Sequence, residues 1–148
     1  MTMIEQPFIW QTRVYWEDTD AGGVVYHARY VAFMERARSE WMRALGWGQE
    51  AMRRGGGQVF VVRAMSLDFH KPAHLDDLLQ VSVSLTQCRR ASLLMAQQVH
   101  RDGQLLASAQ VRLAAVGAED FRPQPINAGM LAVFESLQVQ TELPRNKG

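Results

Sequence analysis

The strongest constraint on the fold is a change of period along the chain. Tyr30, Met34, Ala37, Trp41 and Leu45 recur at four- and three-residue steps, the spacing of one helix face. After Gly57 the apolar residues recur at every second position for most of the remaining chain. The long helix therefore carries a stripe that must be buried, and several strands each offer one apolar face. A single curved antiparallel sheet wrapped round the helix satisfies both, which predicts an α+β domain. The sheet's remaining edge and face favour association with a second copy.

Phe8 to Trp16 alternate as a first strand, and Glu17 to Gly23 break the pattern with acids and glycines, so a turn falls there. In the helix that follows, Arg36, Arg38, Glu40 and Arg43 fall mostly off the apolar stripe, and Gly46 is its expected stop. Gln49 to Arg54 add another helical turn before Gly55-Gly56-Gly57, read as a flexible connection. Met65 to Phe69 alternate up to Pro72, and Leu79 to Leu85 form the clearest half-buried strand. Leu93 to Arg101 and Gln104 to Val116 are joined by Asp102-Gly103, a preferred type I′ hairpin pair. Asn127 is placed to cap a terminal helix carrying Met130, Leu131, Phe134 and Leu137, and residues 141–148 read as a frayed tail.

With 148 residues, no internal repeat and no dividing linker, the chain reads as one domain able to bury a core. A net charge of +1 without a basic block gives no reason to invoke nucleic acid or an anionic membrane. The lone Cys88 excludes an internal disulfide framework, and with no signal-like N-terminus the cytoplasm is the expected compartment. No apolar run approaches the roughly 20 residues that span a bilayer, though peripheral attachment stays open. His70 and His74 are separated by Pro72 in a strand context, so no zinc site is expected.

The chemistry concentrates in Tyr15 to Arg38, where Y-W-E-D-T-D-A-G-G-V-V-Y-H runs into the long helix. An acidic turn feeding a helix start sets a carboxylate beside free backbone N–H groups and the positive end of the helix dipole. That is, in outline, a geometry for ester or thioester hydrolysis. Gly22-Gly23 let the backbone approach a ligand closely or take positive φ. From the residues alone, Asp20 could equally close an Asx-turn with its side chain.

The stretch E-D-T-D-A-G-G-V-V-Y-H-A-R-Y-V-A-F-M-E-R-A-R, followed by F-V-V-R-A-M and P-A-H-L-D-D, resembles the hotdog-fold acyl-CoA thioesterases. More narrowly, it is similar to the YbgC-like branch of the 4-hydroxybenzoyl-CoA thioesterase family, which is associated with the Tol-Pal envelope system. The likeness covers roughly residues 10 to 117. It implies a central helix wrapped by a curved antiparallel sheet, a homodimer or homotetramer, and acyl-CoA bound between protomers with no separate cofactor. It also implies that Asp20 is the catalytic carboxylate, as general base or nucleophile, and that a backbone N–H near His27 polarises the thioester carbonyl.

Other roles follow from the resemblance with plainer alternatives beside them. The His27 imidazole could touch substrate or orient Asp20, or serve only as a surface or capping residue. Gly23, Val24 and Tyr26 are candidate substrate contacts, although Tyr26 also suits a core. Arg63 could reach the site or the neighbouring protomer, or be an exposed strand residue. Arg89 and Arg90, at a turn between strands, could hold CoA phosphates or be solvated. Asp18 is expected to stabilise the turn, Glu35 to be structural, and Cys88 to be idle. Two further readings compete: a hotdog-fold hydratase or dehydratase, and a binding module for an acyl carrier protein, a lipid-synthesis enzyme or the envelope system. In the latter, hydrolysis would be incidental.

Overall fold

In the computed structural model, which describes residues 7–138, five strands form one antiparallel sheet and a long helix packs across it. The strands are β1 (Phe8–Arg13), β2 (Gln58–Phe69), β3 (Leu78–Cys88), β4 (Ser92–Arg101) and β5 (Gln104–Gly117). The helices are α1 (His27–Ala44), α2 (Gln49–Gly56) and α3 (Ala128–Leu137). The sheet order is β1-β3-β4-β5-β2, so β1 and β2 are its edges. The expected frayed tail lies outside the described residues.

The α1 stripe is buried as its spacing requires. Tyr30, Phe33, Met34, Ala37, Trp41 and Met42 enter one core with Leu79, Val81, Leu93, Met95 and Val111 from the sheet. Removing a fully enclosed side chain such as Met34 typically costs about 2–5 kcal/mol, so packing, more than helix propensity, fixes where α1 lies. One expectation fails on this helix. Arg38 is only 7% exposed, because it follows Met34 and precedes Met42 at four-residue steps and so shares their face.

Strand limits also shift. β1 ends at Arg13, and Trp16–Asp18 form a 3-10 turn, because the chain must bend to meet the acidic loop. β2 begins at Gln58, well before the alternation at Met65, and a bulge at Arg63 between Val62 and Ala64 explains the lost period there. The glycine run is only partly a connection: α2 extends to Gly56, and Gly57 closes it with φ of 63°. Asp102 and Gly103 both take positive φ in the β4–β5 hairpin, as a type I′ turn demands. Asn127 occupies the N-cap of α3, yet its side chain makes no capping bond.

Candidate active site

The acidic turn is held from its buried side by Asp18. This residue is 4% exposed, and its Oδ2 accepts the Tyr15 N–H at 2.9 Å. Its Oδ1 accepts from Arg29 Nε at 2.8 Å and Nη2 at 2.7 Å, while its carbonyl accepts the Tyr26 N–H at 2.9 Å. One side chain thus ties the turn's entry to the first turn of α1, and its carbonyl ties the exit. Asp18 is the stabilising member of the acidic pair.

Asp20 faces the other way and is exposed. Its Oδ1 accepts the Gly22 N–H at 2.8 Å, closing an Asx-turn, and its carbonyl accepts the Gly23 N–H at 3.0 Å. Oδ2 makes no hydrogen bond among the described residues. The structural and chemical readings of this carboxylate are therefore compatible, since one oxygen sets the turn and the other is free. Gly23 requires its lack of a side chain at φ of 84°, and a Cβ on Gly22 would sit 3.3 Å from Asp20 Oδ1.

Helix α1 starts at His27 after an extended Tyr26 whose side chain does not cap it. The His27 and Ala28 N–H groups precede the intrahelical ladder and donate to no group among the described residues. Asp20 and this helix start border one cleft of ≈ 360 Å³, shared with Val24, Tyr30, Phe69, His70 and Lys71. The cleft therefore combines a carboxylate, the positive end of an 18-residue helix and an aromatic wall. Tyr30 supplies structure: its hydroxyl accepts the Ala73 N–H at 3.0 Å. Burial raises its pKa more than that bond lowers it, so it stays protonated at neutral pH.

The structure brings some of the expected residues to the cleft and leaves others away from it. Asp20, Val24 and His27 line the cleft, and Gly23 belongs to the turn beside it. Tyr26 is half-exposed with its ring centroid 4.5 Å from that of His27, which corrects the reading of it as a core aromatic. Arg63 is exposed at the β2 bulge, six residues or roughly 20 Å of strand from Phe69. Arg89 and Arg90 are exposed in the β3–β4 turn, at the opposite end of β3 from the cleft. None of the three arginines lines the cleft in this protomer.

Phe69, His70 and Lys71 are missed because only the sheet's registration brings the end of β2 against the start of α1. Phe69 lies edge-on to His27 and Tyr30, with centroids 6.4 Å and 5.3 Å away. His70 Nε2 is 3.0 Å from Ser108 Oγ, whereas His74 Nδ1 is 3.9 Å from Asp77 Oδ2, so the two histidines take different partners. Burial disfavours the Asp77 carboxylate, but the His74 N–H and the Arg101 guanidinium outweigh it and hold the pKa below the ordinary range. The Cys88 thiol pKa is pushed upward, first by burial and then by Glu135, which disfavours the nucleophilic thiolate. Arg29, the partner of Asp18, is not among the expected residues, although its place in the first turn of α1 is legible in the sequence.

Comparison with known proteins agrees with this architecture. Residues 22–108 match the model of the thioesterase superfamily. The acyl-CoA thioesterase YbgC of Haemophilus influenzae is 38% identical over 92% of this chain and 100% of its own length. The acyl-CoA thioester hydrolase YbgC of Escherichia coli is 42% identical over 86% of this chain and 96% of its own. The crystal structure of a probable thioesterase from Bartonella henselae superposes with a TM-score of 0.79 at 35% identity, covering 82% of this chain and 99% of that one. The helix wrapped by a five-stranded antiparallel sheet is the hotdog fold, and the chain belongs to the thioesterase superfamily, among the relatives of the YbgC acyl-CoA thioesterases.

Proposed function

We propose that this protein hydrolyses the thioester of an acyl-CoA to a free acid and CoA. The observation that carries the reading is one cleft in which the free oxygen of Asp20 and the open N–H groups of the α1 start occur together. The carbonyl oxygen of the thioester, docked at the helix start, is polarised by the His27 N–H, and the helix dipole favours the developing oxyanion. Asp20 then follows one of two routes. As a general base it takes a proton from water, the resulting hydroxide adds to the carbonyl carbon, and the C–S bond breaks to release CoA thiolate. As a nucleophile it adds to the carbonyl carbon, the C–S bond breaks to release CoA thiolate and leave a mixed anhydride, and water cleaves that anhydride to the free acid and the regenerated Asp20 carboxylate. Water is the only co-substrate in either route, and no cofactor is needed.

The rest of the cleft suits the same substrate. Val24, Tyr30 and Phe69 offer an apolar wall for the acyl group. Tyr26 and Gly23, next in the chain to His27 and Val24 of the cleft's lining, are assigned to the same substrate. We assign the three distant arginines to a homodimer. β2 is an edge strand that leaves Val62 and Phe69 half-exposed, and antiparallel pairing of two β2 edges sets the Gln58 end of one copy beside the Phe69 end of the other. Arg89 and Arg90 share that Gln58 end, because Ser92 pairs with Ala114 near Gly117. In such a dimer these arginines and Arg63 approach the partner's cleft, where guanidinium groups suit CoA phosphates. A tetramer would stack two such dimers.

The finer expectations are a single domain over 1–148, from the chain's length and lack of a dividing linker, a cytoplasmic enzyme with attachment to the inner membrane left open, and, from the YbgC resemblance, a partner from lipid synthesis or an acyl carrier protein in a Tol-Pal-associated role. No helix among the described residues is long and apolar enough to cross a membrane. A pull-down with the full chain as bait tests the partner. The activity itself is tested with purified protein and a panel of short, long and aromatic acyl-CoAs, following free thiol. Thiol release is the expected result; a change in enoyl absorbance without thiol would establish the hydratase reading in its place.

A further inference from the structure

A second polar feature of α1 has no part in the reaction above. Arg38 is more than nine-tenths buried, and its Nη1 donates to Gln97 Oε1 at 2.9 Å. Gln97 is fully enclosed and spends its own Nε2 on the carbonyls of Met34, at 3.0 Å, and Ser82, at 3.3 Å. A guanidinium carries five N–H donors, yet this is the only hydrogen bond Arg38 makes among the described residues, and no carboxylate there lies within ion-pairing distance of it. Burial lowers its pKa and the nearby Glu35 charge opposes that; a guanidinium in a protein keeps its charge. Such a charge, enclosed with one neutral acceptor, calls for another oxygen.

The structure offers space for one. Arg38 borders a cavity of ≈ 140 Å³ with Glu35 and Ser39 and with Met42, Phe60, Leu113 and the half-exposed Val62 of the β2 edge. This cavity and the Asp20 cleft both draw on α1 and β2. α1 gives His27 and Tyr30 to one and Arg38 and Met42 to the other, while β2 gives Phe69 to one and Phe60 to the other. Eleven residues of helix separate His27 from Arg38, roughly 16 Å of rise, which matches the length of an extended dodecanoyl chain. An apolar space ending in unpaired cationic donors selects a chain whose far end carries a hydrogen-bond acceptor.

We infer that Arg38 is a specificity determinant for the acyl group, binding a hydroxyl or carboxylate oxygen at the end of the chain remote from the thioester. This rests on the acyl-CoA hydrolase reading. The test compares dodecanoyl-CoA with its ω-hydroxy and ω-carboxy counterparts for wild type, Arg38→Met and Arg38→Lys, using kcat/KM and calorimetric binding of the matching non-hydrolysable thioethers. Wild type is expected to prefer an ω-oxygenated chain by at least about ten-fold, mainly through KM. Arg38→Met should bring that ratio close to one, and Arg38→Lys should recover part of it. The ω-hydroxy and ω-carboxy arms identify which oxygen is preferred.

Two results overturn the inference: a wild type indifferent to the terminal oxygen, as when water or a second copy fills the cavity, and an Arg38→Lys that lowers all three substrates alike with the ratio intact, the mark of a structural role. If Arg38→Met does not fold, Arg38→Lys and the wild-type ratio still decide. Failure of the hydrolase reading is separable. In that case no thiol is released from any of the three, while the thioether affinities still report whether the terminal oxygen is recognised.

Discussion

Asp18 and Asp20 stand two residues apart in one turn, yet the fold uses them in opposite ways. Asp18 points inward, with both carboxylate oxygens engaged by Tyr15 and Arg29. Asp20 points outward, with one oxygen on Gly22 and the other free at the mouth of the cleft. The difference teaches that one acid can prepare the place of the other: the buried acid fixes the loop, and the fixed loop holds the exposed acid beside the helix start, where the proposed chemistry needs it.

Replacing each acid in turn should separate the two roles. Asp20→Ala carries the largest expected effect, a fall in kcat of roughly 10²- to 10⁴-fold. Its thermal unfolding should move little, because only the Gly22 bond is lost, worth about 0.5–1.5 kcal/mol. Asp18→Ala should do the reverse. It leaves Arg29 without its closest acid, and because Arg29 keeps 28% of its side chain exposed the cost should be roughly 2–3 kcal/mol, below that of a fully buried pair. Denaturant melts check this, and the comparison breaks if Asp18→Ala is as stable as wild type.

A smaller effect is expected at the cleft's other wall. His27→Ala removes the imidazole but keeps the backbone N–H, so its rate should fall by less than about ten-fold, against the 10²–10³ typical of a lost oxyanion donor. A His27→Ala variant as inactive as Asp20→Ala, with folding intact, would move the imidazole into the chemistry.

The smallest effect is a pH dependence outside the turn. Asp77 has its folded pKa held below the ordinary Asp value of about 3.9. Its stabilising contribution is therefore complete above that value and is lost as pH falls through the folded pKa. Melts of wild type and Asp77→Asn should differ near neutrality and converge in acid below pH of about 3.9; a gap that widens on acidification would reverse the assignment.

What the sequence disclosed follows from the range of the interactions involved. The α1 stripe, the β4–β5 hairpin at Asp102-Gly103 and the D-T-D-A-G-G turn are local patterns, and each falls where spacing and turn chemistry put it. Phe69 and His70 enter the cleft only through pairing of β2 with β5 and packing on α1, contacts that no single segment encodes. Arg38 departs from the polar face expected of the helix's charged residues because its four-residue spacing from Met34 and Met42 puts it on their face despite its charge. The β2 bulge at Arg63 hid the first half of that strand for a related reason, since one inserted residue erases a two-residue period.

In the proposed chemistry Asp20 acts through its free carboxylate oxygen and not through the turn it closes. Asp20→Asn isolates that claim, because asparagine retains a side-chain oxygen to accept the Gly22 N–H and so keeps the Asx-turn. Single-turnover release of thiol from one acyl-CoA, measured beside the unfolding midpoint, is the direct measurement. The expected result is an unchanged midpoint with a rate reduced by at least about 10²-fold. Near-wild-type turnover in Asp20→Asn would contradict the claim and leave Asp20 as a turn residue.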